Sequence, residues 1–193
     1  MLVLSAVIGY LLGSIPFGVL ASRLGGRDIL LEGSGNPGAT NALRILGPGW
    51  AAAVLVGDAL KAVLAAYLGL RLGGIAASAV AGSFAALGHA YSVFLRGRGG
   101  KVVASSLGLL AFWDWHVLIP AVIVFLLVVA ATRLVALGSL LGALAAAVAA
   151  SVWPLPLSLR LAIYFLFVLI VWRHRPNIAR MAKGDEHRLG QRG

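Results

Sequence analysis

The sequence specifies an all-α, polytopic integral membrane protein with seven transmembrane helices, the fourth of them short, and three observations lead there. Of its 193 residues, 61% are apolar and 11% charged, with a mean hydropathy of +0.98. No soluble domain of this size can hide that much apolar surface. The apolar residues also fall in blocks of about twenty, the length that crosses a bilayer as a helix. Finally, the cations gather in alternate connections between those blocks, as the positive-inside rule requires.

Taken in order, the first block covers 2 to 22 and contains no Lys or Arg. It lacks the basic start of a secretory signal, so it is expected to stay as a span. Gly9 and Gly13 stand four residues apart on it, a spacing that lets another helix backbone come close in lipid. Blocks at 50 to 70 and 74 to 94 follow. The fourth, 102 to 113, is too short to cross unaided and is expected to be tilted or re-entrant. The fifth and sixth cover 116 to 132 and 134 to 153, the latter with Gly138, Gly142, Ala146 and Ala150 at four-residue spacing. The seventh covers 157 to 173, after which Pro176 ends the span and can open a short interfacial helix. The chain reads as one domain, 1 to 193, with a short basic tail from about 174 in which Gly184 to Arg188 looks solvated.

With an outside N-terminus and seven crossings, one face collects Arg23, Arg27, Arg44, Arg96, Arg98, Lys101, Arg133, Arg173, Arg175, Arg180, Lys183, Arg188 and Arg192. The other receives Arg71 and Arg160. The basic face is therefore expected to be cytoplasmic, with the C-terminus on it. The formal charge of +10 then reports both topology and an anionic partner. Nothing in it suggests nucleic acid. The absence of cysteine excludes disulfides and thiolate chemistry, and four scattered histidines with six carboxylates predict no metal and no cofactor.

The chemistry is expected in the loops of that face. The first reads G-S-G-N-P-G-A-T-N at 33 to 41, and Gly33, Gly35 and Gly38 permit left-handed backbone that turns successive N–H groups toward an anion. Ser34, Asn36, Thr40 and Asn41 add polar side chains. Gly33 and Gly38 have P-loop spacing, but Ala39 stands where the lysine belongs and no strand precedes it, which argues against ATP hydrolysis. The second loop, R-G-R-G-G-K at 96 to 101, again interleaves cations with glycines, among them Arg98, Gly99, Gly100 and Lys101. The third, R-H-R-P-N-I-A-R at 173 to 180, puts His174 and Asn177 on either side of Pro176, where both can face the membrane surface. Inside the spans, Asp58 and Lys61 lie three apart on one helical face and read as a buried structural ion pair or a snorkelling lysine. His89 and Ser92, in G-H-A-Y-S-V-F, read as hydrogen-bonding residues near the basic end of their helix.

Together these blocks resemble one family, the bacterial acyl-phosphate-dependent glycerol-3-phosphate acyltransferases called PlsY. The resemblance runs through G-S-I-P-F-G at 13 to 18, the 33 to 41 loop, G-D-x-x-K at 57 to 61, G-H-x-x-S-x-F at 88 to 94, G-G-K at 99 to 101 and R-H-R-x-N-I at 173 to 178. It implies transfer of a fatty acyl group from acyl phosphate to the sn-1 hydroxyl of glycerol 3-phosphate, giving lysophosphatidic acid at the inner membrane. It also implies a soluble enzyme that supplies the acyl phosphate. By the same resemblance, phosphate-binding positions fall on Ser34, Asn36, Arg44 and Lys101, with Ser139, His174 and Asn177 on the glycerol 3-phosphate side. Two departures stand out: Val102 replaces the family's glycine after G-G-K, and Arg98 with Gly97 replace a lysine and an aromatic.

A scarcity of bases shapes the expected mechanism. None of His89, His116, His174 or His187 is followed five residues later by the aspartate that thioester-using acyltransferases carry. Cations would make phosphate a good leaving group, and the hydroxyl proton would go to a phosphate oxygen or to His174. The rival reading is a membrane carrier or channel for phosphate or an organophosphate. It conflicts with polar motifs on a single face and with spans that have no continuous polar stripe.

Overall fold

The computed structural model describes residues 1 to 190, so Arg192 lies outside the described residues. Its α-helices follow the apolar blocks and their breakers, apart from α3 in the first loop: α1 (Leu2–Ser14), α2 (Phe17–Leu24), α3 (Ala39–Ile45), α4 (Pro48–Ala90), α5 (Val103–Trp113), α6 (Trp115–Thr132), α7 (Val135–Val152), α8 (Leu157–Arg173) and α9 (Arg175–Lys183). Among the described residues, four segments are long and apolar enough to cross a membrane, or five if α8 and α9, bent by 52°, form one span. The expected seven counts the two arms of α4 separately and adds the short α5.

The first span is broken. Pro16 has no N–H to continue α1 and forces Ile15 into an extended conformation (ψ 118°). The break leaves backbone carbonyls without helical partners, a costly state in lipid. Lys61 Nζ donates to the Ile15 carbonyl at 2.7 Å, and Ser92 Oγ donates to Ser14 O at 2.6 Å. The lysine's charge is met by Asp58 at 2.7 Å, both side chains being almost wholly buried. The intramembrane ion pair thus closes the hydrogen-bond deficit of a proline break.

A helix of 43 residues would be about 65 Å long at 1.5 Å per residue, twice the thickness of a bilayer core. Instead α4 turns back at Gly73 and Gly74, and the backbone angles of Gly74 (φ 70°, ψ −162°) suit only glycine. The arms then run antiparallel, as the 3.4 Å approach of Asp58 Oδ1 to His89 Nδ1 shows, since the two residues are equidistant from the turn. The second arm lies so close to α1 that a Cβ on Gly9 or Gly13 would strike the Ala81 or Ala85 backbone. Gly138 and Gly142 play the same part between α7 and α6. Asp114 ends α5 and caps α6 by accepting the His116 N–H at 2.8 Å. The short α5 is packed against α4, where Gly108 meets the Ala59 backbone.

Candidate active site

At one end of the bundle a polar cavity of about 240 Å³ collects side chains from every loop singled out in the sequence. Ser34, Asn36, Gly38, Thr40, Asn41 and Arg44 line it from the first loop and α3. Lys101 lines it from the second loop, Ser139 from α7, and His174 and Asn177 from the α8–α9 bend.

The first loop is built around Asn41. This buried side chain accepts the Ser34 N–H at Oδ1 (2.9 Å) and donates from Nδ2 to the carbonyls of Ile29 (3.1 Å) and Glu32 (3.0 Å). Gly33 (φ 61°) and Gly35 (φ 66°) are left-handed, and a side chain on Gly33 would collide with Asn41. Asn36 Oδ1 accepts the Gly38 N–H at 3.0 Å, and the Gly35 N–H reaches Glu32 O at 3.1 Å. The expected convergence of amides is therefore corrected: the N–H groups of Ser34, Gly35 and Gly38 are spent inside the loop, and Gly38 (φ −87°) is not left-handed. Asn41 is a scaffold rather than a ligand. The groups left for a ligand include the Ser34 and Thr40 hydroxyls, the Asn36 amide nitrogen, the Arg44 guanidinium and the backbone N–H groups of Asn36, Ala39 and Thr40.

The second loop also departs from expectation. The Gly100 N–H donates to His89 O at 2.9 Å, and Arg173 grips the Gly100 and Gly99 carbonyls at 3.0 and 2.8 Å. Both glycines press on His89 and Ala90 and line a smaller cavity behind the site. Arg98 is exposed outside the pocket. Lys101 alone carries this loop's charge into the site. Burial brings its pKa from 10.5 to about 8, helped by the cations Arg180, Arg44 and Arg173 and opposed by Glu186. Asp58 and His89 form part of the pocket floor, whereas Ser92 sits apart on Ser14.

His174 does not face the membrane surface: it is 2% exposed. Its Nδ1 lies 2.8 Å from Ile170 O, and because a carbonyl only accepts, Nδ1 carries the proton and Nε2 is a free acceptor. Burial lowers its pKa to about 4, overcoming the bond to Ile170. Ser139 donates to Val135 O at 2.8 Å and keeps its lone pairs for the cavity.

Three polar lining residues escaped the sequence reading. Arg180, one turn beyond Asn177 on α9, could have been found by helical spacing. Glu186 and His187 could not, because a mixed-charge tail looks solvated. Glu186 is instead 9% exposed and accepts from Asn177 Nδ2 (2.6 Å) and Arg180 Nε (2.8 Å).

The pocket adjoins an apolar cavity of about 230 Å³ between α5, α6, α7 and α8, and Val103, Leu107, Phe125 and Ser139 line both. Gly142 and Ala146 leave this space by being small.

Val102 keeps the left-handed backbone (φ 71°) that a glycine would adopt, while its side chain is fully buried in the main apolar cluster. The strain of such a β-branched residue, about 1–3 kcal/mol, is comparable to the roughly 1.5–3 kcal/mol its burial contributes. Val102→Gly is therefore expected to change stability by less than about 1 kcal/mol. Val102→Ala loses the packing and keeps most of the strain, so its thermal melting midpoint should be the lower of the two. The reverse order would remove backbone strain from the account.

The sequence matches the family model described as glycerol-3-phosphate acyltransferase over residues 3–184. It is 42% identical over 193 residues to the glycerol-3-phosphate acyltransferase of Carboxydothermus hydrogenoformans, covering 100% of this chain and 98% of that one. The fold is similar to the crystal structure of PlsY, an integral membrane glycerol 3-phosphate acyltransferase, in its glycerol 3-phosphate form (TM-score 0.92, 35% identity, 98% of this chain and 96% of that one). It is similar as well to the lysophosphatidic acid form (TM-score 0.90, 34% identity, 98% and 95%).

Proposed function

The chain belongs to the glycerol-3-phosphate acyltransferase family, and from that premise we propose that the polar pocket is its active site, with acyl phosphate as donor and the sn-1 hydroxyl of glycerol 3-phosphate as acceptor. The product is lysophosphatidic acid. The observation that carries the site assignment is the junction itself: a cation-lined pocket able to hold phosphate adjoins, and shares four lining residues with, an apolar cavity able to hold an acyl chain. A carrier has no use for such a junction.

In the reaction the hydroxyl oxygen attacks the acyl carbonyl carbon, the bond from that carbon to phosphate oxygen breaks, and phosphate departs with the electron pair. Arg44 can grip two phosphate oxygens with its planar fork and Lys101 can follow the moving charge as a point donor. Both serve the developing anion more than the ground state, which is where stabilisation accelerates. His174 is neutral and, near pKa 4, a weak base, so its Nε2 orients the hydroxyl by accepting a hydrogen bond. As the new carbon–oxygen bond forms, the attacking hydroxyl turns its proton from Nε2 to a phosphate oxygen, whose second pKa is about 6.

A donor held by its phosphate cannot be replaced by a thioester. Purified enzyme in detergent should form lysophosphatidic acid, scored by mass spectrometry, from acyl phosphate and not from acyl-CoA. Comparable turnover with both would overturn the donor assignment. A soluble enzyme supplies this labile anhydride in our reading.

We read the chain as crossing the inner membrane seven times, each arm of α4 and the short α5 included, with the pocket on the cytoplasmic side. Arg44, Lys101, Arg173 and Arg180 then all lie on the inner face, as their loops' basic character demands. Reporter fusions should place the N-terminus outside and the C-terminus inside. Both ends on one side would mean that one of these segments does not cross.

A further inference from the structure

We infer that Glu186 sets the hydrogen-bonding polarity of Asn177, so that Asn177 and His174 meet the glycerol moiety as two acceptors and select a diol over the corresponding ketone. The inference rests on the reading of the pocket as the glycerol 3-phosphate site.

Its basis is the donor and acceptor inventory of three side chains. Ionised Glu186 only accepts hydrogen bonds, and Arg180 Nε, 2.8 Å from Oε2, supports that ionised form. Asn177, 2.6 Å from Oε1, must therefore turn its NH₂ toward the carboxylate. Its Oδ1 is left buried and without a partner, in a residue that lines the pocket. Beside it, the bond from His174 Nδ1 to Ile170 O leaves Nε2 as an acceptor too. Two acceptors on neighbouring turns match two hydroxyl donors. A carbonyl in place of either hydroxyl would set lone pairs against lone pairs. Buried, unpaired acceptors are the kind of group that gives strong selection by hydrogen bonding.

The fold holds Glu186 in place for this. The Leu189 N–H donates to Arg133 O at 2.7 Å and Arg188 reaches Thr132 O at 3.2 Å, tying the tail to the α6–α7 turn. Glu186 does not need to touch substrate; it is a positioning residue acting through Asn177.

Glu186→Gln gives a directional test. Arg180 only donates, so the new amide would offer it the side-chain oxygen and turn its own NH₂ to Asn177. Asn177 would then flip, presenting NH₂ to the pocket as a donor suited to a carbonyl. Glycerol 3-phosphate and dihydroxyacetone phosphate are compared as acyl acceptors and as competing ligands, with thermal melting as the check on folding. The ketone-to-alcohol ratio of kcat/KM, or of inhibition constants, should rise at least about tenfold in Glu186→Gln. An unchanged ratio in a variant that melts like the wild type would overturn the inference. If Glu186→Gln does not fold, Asn177→Ala decides: it should weaken glycerol 3-phosphate use and flatten the discrimination. Lower activity with discrimination intact would refute the polarity argument alone. Undiminished use of glycerol 3-phosphate would refute the placement of that substrate in this pocket.

Discussion

Replacing Lys101 with methionine should lower kcat/KM at pH 7 by at least about 10²-fold, because one hydrogen bond to a charged group contributes about 1.5–3 kcal/mol and this lysine serves an anion that gains charge as it leaves. The wild-type pH profile should carry the lysine's signature. With a pKa near 8 in the empty pocket, Lys101 loses its proton above that pH, and kcat/KM should fall there. Arginine does not titrate in this range, so whatever activity Lys101→Arg retains should persist to higher pH. The stability effect has the opposite sign. Between about 8 and 10.5 the unfolded chain holds more protons at this site than the folded one, so the ligand-free enzyme gains stability as pH rises through that window. Below pH 8 the buried charge costs stability, and methionine removes the cost. A basic limb left unmoved in Lys101→Arg would show that another group titrates, and near-normal turnover in Lys101→Met would remove this residue from the phosphate site.

Asn41→Ala should be nearly as damaging, through the frame rather than through a ligand contact. It strands the Ile29 and Glu32 carbonyls and the Ser34 N–H, and at about 1 kcal/mol net per lost bond the sum is about 3 kcal/mol. Without that frame Ser34 and Asn36 lose their fixed positions, and misplacement by about 1 Å can cost about 10²-fold in rate. Asn41→Asp sharpens the test. It keeps an acceptor for the Ser34 N–H but sets a carboxylate against two carbonyls, so it should be no better than alanine. Melting and steady-state kinetics on both variants check this. Wild-type melting and kinetics in Asn41→Ala would mean the loop is held by something else.

Sequence and structure agree where backbone breakers act. The interruption expected between 70 and 74 falls at Gly73–Gly74, the bend near Pro176 opens α9 after His174, and the close-approach glycines Gly9, Gly13, Gly138 and Gly142 do admit a neighbouring backbone. Such features are local: a missing N–H or a missing Cβ acts wherever it stands. The break after Ser14, by contrast, lay inside a block that hydropathy reads as continuous, although Pro16 was there to be seen.

What the sequence by itself determined is therefore the helical membrane class, most of the places where helices break, and the three loops that carry most of the polar residues of the site. What only the tertiary structure decided is the fate of individual donors and acceptors. The glycine-rich loop looked like a set of free amides, yet the Asn41 side chain seven residues on takes the Ser34 N–H, and Asn36 within the loop takes that of Gly38. Asp58 meets His89 only because α4 folds back, and Glu186 enters the pocket only because the tail docks on the α6–α7 turn. Hydrogen bonds are satisfied by whatever partner the fold brings within about 3 Å, and sequence distance carries no record of that.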